Sequence, residues 1–119
     1  MIIDAKALTE RIRVILDDKK AQDITIIDVR GTSTVTDYTI IASGMSAPHI
    51  RALYEEVQHQ LKQEGVACYR RSGETEGGWM VLDYVNVIVH LFVPEMREFY
   101  ALETLWDDVA AMREQPPQD

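Results

Sequence analysis

The segment Val87-Ile88-Val89-His90-Leu91-Phe92-Val93 constrains the fold more than any other stretch of this chain. Six of its seven residues are apolar, and Pro94 stops it. It falls far short of the ~20 apolar residues a membrane helix needs. Its near-continuous apolar character and its β-branched residues are those of a strand at the centre of a sheet. The remainder of the chain must then supply the strands beside it and the helices that cover it.

Those elements are readable from periodicity and punctuation. Residues 4–18 have the spacing of a helix: Asp4 is placed to cap it, Leu8, Ile12, Ile15 and Leu16 recur on one side, and Lys19 and Lys20 suit the negative end of its dipole. A second helix opens at the Ser46 cap with Pro48 in its first turn. It carries the stripe Ile50, Leu53, Tyr54, Val57, Leu61, and Gly65 closes it. Strands are predicted over 24–29, 35–42, 67–72, 79–82 and 87–93, with Gly73 to Gly78 as a flexible acidic loop. A last helix is predicted from Glu95 to Met112, with Phe99, Leu102, Trp106 and Val109 on one side. The order helix, two strands, helix, three strands, helix predicts an α/β (α+β) domain, a mixed sheet of about five strands with flanking helices. With 119 residues the chain supports one domain, expected over 1–113, with a frayed polar tail at 114–119.

Charge and cysteine usage narrow the function. Acidic residues number 20 and basic residues 12, a net charge of −8. Phosphate repels such a chain, so no free nucleic acid is expected as a partner, and a basic protein is favoured in encounter. The single cysteine, Cys68, can form no internal disulfide and is expected to be a small buried side chain. No apolar run suits a membrane, and Asp4 stands where a secretory signal would want a cation. The expectation is a soluble, reduced, cytoplasmic protein.

No constellation completes a catalytic set. His49, His59 and His90 lack the helical spacing of a metal site. The first two are expected to be solvated helix positions, whereas His90 interrupts an apolar strand and is expected to be hydrogen-bonded or at an interface. The carboxylate pairs Glu55-Glu56, Glu95/Glu98 and Asp107-Asp108 suit solvated helix faces. Gly44-Met45-Ser46 opens a helix after a strand, where backbone N–H groups could hold a phosphate. Strand, Gly-x-Ser turn and helix in this order resemble the nucleotidyltransferase arrangement, though a lone Gly-x-Ser is more often just a helix cap, and that chemistry needs alternating acids to hold a metal. Asp83 is followed two residues later by Val85. Asp37 is unusual in a strand and is expected to pair with a backbone N–H or an arginine. Trp79, at a strand start after two glycines, is either a core plug or an exposed anchor. The residues alone thus favour a binding module over an enzyme.

Several segments taken together resemble a known family. They are Thr36-Asp37-Tyr38, Ala42-Ser43-Gly44-Met45-Ser46, Trp79, Leu82-Asp83-Tyr84, the run Val87 to Phe92, and Arg97-Glu98-Phe99-Tyr100-x-Leu102-Glu103-x-Leu105-Trp106. In this order and spacing they resemble the bacterial ribosomal silencing factors, the RsfS or Iojap-like family, over roughly residues 5–107. The resemblance implies a nucleotidyltransferase-like fold without catalytic acids, no enzymatic activity and no cofactor. It also implies binding to the large ribosomal subunit through ribosomal protein number fourteen, which blocks joining of the small subunit and represses translation in starvation or stationary phase. Carried over by motif, Trp79 is the first expected partner-binding residue. Asp83, Tyr84, His90 and Asp37 follow; Glu74 and Glu76 are added from charge and position. The family often has glycine and then an acid after the Asp-Tyr step, where this chain has Val85-Asn86, so Asn86 is expected to take the left-handed position or the turn to widen. Two alternatives stay open: a nucleotidyltransferase-like phosphate-binding enzyme, and a self-associating module, with a homodimer compatible with ribosome binding.

Overall fold

The computed structural model describes residues 4–33 and 36–95. Among them are two helices, α1 (Ala5–Asp18) and α2 (Ala47–Gln63), and five strands: β1 (Gln22–Asp28), β2 (Tyr38–Ser43), β3 (Arg70–Glu74), β4 (Trp79–Asp83) and β5 (Val87–Phe92). The expected helix over 95–112 and the tail over 114–119 fall outside the described residues, Glu95 excepted.

Both helices begin as their sequences dictate. Asp4 accepts the Ala7 N–H at 2.7 Å, and Ser46 accepts the His49 N–H at 3.3 Å, each satisfying a donor that the first turn leaves open. Pro48 lies in the first turn of α2. Gly65 follows that helix with φ +85°, while α1 is followed by Lys20 in the same left-handed region.

The sheet order is β1-β2-β5-β4-β3, so the apolar run does occupy the centre. Only β2 and β5 pair in parallel; the other neighbours are antiparallel. β5 inserts between β2 and β4, so the chain leaves the sheet through α2 and returns at the far edge. β3 starts later than expected because β4 fixes its ends: Arg70 pairs with Asp83 and Glu74 with Trp79. The expected loop over 73–78 is correspondingly shorter. Gly73 and Glu74 belong to β3, and the turn behind them is closed by the Gly77 N–H on the Glu74 carbonyl at 3.0 Å and by Gly78 on Thr75 at 3.0 Å.

One sheet face carries both helices. Leu8, Ile12, Ile15 and Leu16 of α1 and Ile50, Leu53, Val57 and Leu61 of α2 pack on Tyr38, Ile40, Ala42, Met80, Leu82, Val87, Val89 and Leu91. Each Leu, Ile, Val or Met side chain among them, fully buried, contributes roughly 1.5–3 kcal/mol. The alternate residues form the opposite face in three rows across the strands: Ile27, Thr39, Ile88, Asp83, Arg70; then Thr25, Ile41, His90, Val81, Ser72; then Ser43, Phe92, Trp79, Glu74. Its centre is apolar, and its polar residues stand in a few defined places.

Candidate functional site

Trp79 sits at the corner of this opposite face. It packs against the Ile41–Phe92 cluster and the Val81–Ile88 cluster of this face, yet it remains partly exposed. Gly73, at φ +106°, makes room for it: a side-chain Cβ there would stand 2.8 Å from Trp79 Cε3 and 2.7 Å from its carbonyl oxygen. Sequence reasoning did not pick out Gly73; its signal was a glycine inside what proved to be a strand. Glu74 is directly across from Trp79 and exposed. Glu76 is exposed in the next turn, where it stands 3.9 Å from Arg51. The structure therefore brings Trp79, Glu74 and Glu76 together at one end of β3 and β4.

The other expected site residues are differently placed. Asp83, at the far end of β4, is completely buried; its Oδ1 accepts the Val85 N–H at 2.7 Å. Tyr84 points to the helix face and belongs to the main core, with its hydroxyl buried and without a hydrogen-bond partner. Burial holds that phenol well above the usual tyrosine range. His90 is 1% exposed in the middle row, stacked 6.1 Å from Phe92, and neither ring nitrogen has a partner. The expected hydrogen bond is thus missing, and burial pushes the imidazole pKa down to about 4. Thr39 Oγ1, on a neighbouring strand of the same face, is likewise buried and unbonded. Asp37 is half-buried just before β2, with its carboxylate in electrostatic reach of Arg30 and its N–H donated to the Asn86 carbonyl at 3.0 Å.

Asn86 does not take the left-handed position. Val85 does, with φ +74°. The Tyr84 N–H reaches the Val87 carbonyl and the Asn86 N–H reaches the Tyr84 carbonyl, both at 2.9 Å, so Val85 is the residue the chain must reverse around. The Asn86 carbonyl meanwhile accepts from both Asp37 and Tyr38, which holds Asn86 in place. Intrinsic tolerance favoured asparagine; the hairpin register selected the residue before it.

Several donors of the Gly-x-Ser turn at the start of α2 are already used within the fold. The Gly44 N–H donates to the Phe92 carbonyl at 2.9 Å, and the Met45 N–H to His49 Nδ1 at 2.9 Å. The His49 N–H is taken by Ser46, and Pro48 has none. His49 is not the solvated residue expected. Because Nδ1 accepts from Met45, Nε2 carries the proton and donates to the Lys19 carbonyl at 2.8 Å, tying α2 to the end of α1. A helix N-terminus is an anion site only while its N–H groups are open, and three of these are spent inside the fold. Cys68 is held unreactive by burial, with its thiol pushed up to about 11.

A domain with Trp79, Glu74 and Glu76 together at one end of its sheet, and with three donors of the Gly-x-Ser turn used internally, has the features of a protein-binding module. Comparison with known proteins agrees. The family model described as "Ribosomal silencing factor during starvation" matches residues 3–119. The ribosomal silencing factor RsfS of Bacillus subtilis is 37% identical over 92 residues, covering 77% of this chain and 78% of that protein. A mouse protein named mitochondrial assembly of ribosomal large subunit protein 1 is 32% identical over 107 residues, covering 87% of this chain and 47% of that protein. A crystal structure of a Chromobacterium violaceum protein superposes with a TM-score of 0.81 at 30% identity, covering 88% of each chain. The chain belongs to the ribosomal silencing factor RsfS (Iojap) family, whose members are not enzymes but silence the ribosome during starvation.

Proposed function

We propose that this chain binds the large ribosomal subunit in the cytoplasm through ribosomal protein number fourteen, and that the bound domain keeps the small subunit from joining. The observation that carries this reading is Trp79. It is a partly exposed tryptophan on a rigid strand, beside Glu74 and Glu76, in a chain with net charge −8. Aromatic anchors of this kind carry much of the energy of protein interfaces, and carboxylates around one steer it toward a basic protein surface and away from bare phosphate. The mouse relative's name associates it with a ribosomal large subunit, which supports the choice of subunit. Silencing by occlusion needs no turnover; its extent follows occupancy.

In this reading Trp79, Glu74 and Glu76 touch the partner. Asp83, Tyr84 and His90, all buried, act by holding β4, β5 and their turn in place. Asp37, half-buried, lies at the opposite end from Trp79 and is a secondary contact. A homodimer would compete wherever it covered the same residues.

The test is co-sedimentation with purified large and small subunits, and with isolated ribosomal protein number fourteen. Wild type should pellet with large subunits only, and Trp79→Ala should weaken binding by about 2–4 kcal/mol, a loss of at least thirtyfold. Wild type pelleting with neither subunit would overturn the proposal. A magnesium-dependent rise in melting temperature with nucleoside triphosphate would favour the phosphate-binding alternative instead.

A further inference from the structure

We propose that Arg51, on the exposed side of α2, is a positioning residue for the partner-binding corner: it ties the turn between Glu74 and Trp79 to the helix layer and so presets that corner for a basic protein surface. The inference rests on the ribosome-binding reading above and adds to it a residue that acts through its neighbours. One terminal nitrogen of the Arg51 guanidinium donates to Thr75 Oγ1 at 3.2 Å and stands 3.9 Å from the Glu76 carboxylate. Thr75 is 8% exposed, so the fold fixes its hydroxyl, whereas Glu76 beside it is exposed.

The turn needs such a tie. Its own backbone bonds are local, from the Gly77 N–H to the Glu74 carbonyl and from the Gly78 N–H to the Thr75 carbonyl, each at 3.0 Å. Gly78 has φ +85° and follows another glycine, so this backbone is permissive, and ordering it on a partner would cost binding energy. The Gly78 carbonyl accepts the Val93 N–H at 2.8 Å, which fastens the far side of the turn to the end of β5. Arg51 fastens the near side to α2. Because α2 lies on one face of the sheet and Trp79 on the other, the tie links the corner to the main core.

The charge of Arg51 works against its tether. A cation 3.9 Å from Glu76 weakens the negative field of this corner, so through charge alone its loss would favour a basic partner. Through the tether its loss disfavours the same partner, because the turn must then be ordered on binding. The two effects have opposite signs. Thr75→Val removes the acceptor, keeps the shape of the side chain and leaves every charge in place.

The experiment measures affinity for purified large subunits, thermal melting and amide hydrogen exchange for wild type, Arg51→Ala, Thr75→Val and the double variant. Each single variant should bind about three- to tenfold more weakly, with the loss in the dissociation rate. The double variant should bind no more weakly than the weaker single one, because both changes remove the same bond. The Gly77 and Gly78 N–H groups should exchange faster in all three variants, while melting of Arg51→Ala stays close to wild type. Tighter binding by Arg51→Ala would mean that its charge acts and not its tether, and would overturn the proposal. Affinities within about twofold of wild type for both single variants, additive losses in the double variant, or unchanged exchange at Gly77 and Gly78 would overturn it too, while leaving ribosome binding standing. Failure of wild type itself to bind would instead overturn the ribosomal reading, and the positioning role with it.

Discussion

Replacing His90 with leucine should make this protein more stable, and increasingly so as pH falls. His90 is 1% exposed, and both of its ring nitrogens are without partners. An unsatisfied buried polar group costs about 1–3 kcal/mol, and removing it in favour of a side chain of similar size restores most of that. Lost stacking on Phe92 subtracts roughly 0.5–1.5 kcal/mol. Near neutral pH the net gain is therefore about 1 kcal/mol. The pH-dependent part is larger. Burial lowers the imidazole pKa from 6.5 to about 4, so below 6.5 the unfolded chain takes up a proton that the folded chain refuses. Wild-type stability is thus fully present above 6.5, declines between 6.5 and about 4, and levels off below. Linkage with those two values puts the loss at roughly 1 kcal/mol near pH 5.5 and roughly 2–3 kcal/mol near pH 4.5. Urea unfolding of both proteins at three pH values gives the difference directly, and the titration of the other groups cancels in it. Parallel curves would refute the reasoning, because they would mean that His90 takes up its proton equally in both states.

Other substitutions probe the supports around the site. Asp83→Ala removes the acceptor of the Val85 N–H from a fully buried position and should cost about 1–3 kcal/mol in denaturant unfolding, whereas Asp83→Asn keeps an acceptor and should cost less. Gly44→Ala puts a methyl 2.7 Å from Ile50 Cδ1, a side chain with no exposed surface to retreat into, so a loss of about 1–3 kcal/mol is expected in the melting curve. Cys68 should react with a thiol reagent far more slowly than a free cysteine at pH 8, because burial pushes its pKa up to about 11; equal rates would contradict its placement.

The parts of the fold that were legible in the sequence are those fixed by local chemistry. Asp4, Ser46 and Gly65 mark helix ends because the donors and carbonyls there must be satisfied within a few residues. The run Val87 to Phe92 is central because both of its faces bury apolar atoms. Less was legible where a distant strand decides. The start of β3 and the membership of Glu74 depend on pairing with β4, and that pairing turns a presumed acidic loop into the strand partner of Trp79. His49 looked like a surface residue because nothing nearby in sequence reveals that the Lys19 carbonyl ends up 2.8 Å from its ring.

The same distinction separates the two ends of the candidate site. The Trp79 end could be anticipated because tryptophan and glutamate announce themselves by type, and only their mutual placement needed the fold. The Val85 end could not, since intrinsic φ preference pointed to Asn86. The N–H groups of Asp37 and Tyr38 hold the Asn86 carbonyl, and the hairpin register then forces the reversal onto Val85. That conflict between local preference and tertiary demand is a defect if stability is the only demand on the turn. Val85→Gly should therefore raise the melting temperature, because glycine takes φ +74° without steric cost; an unchanged or lower value would refute the strain.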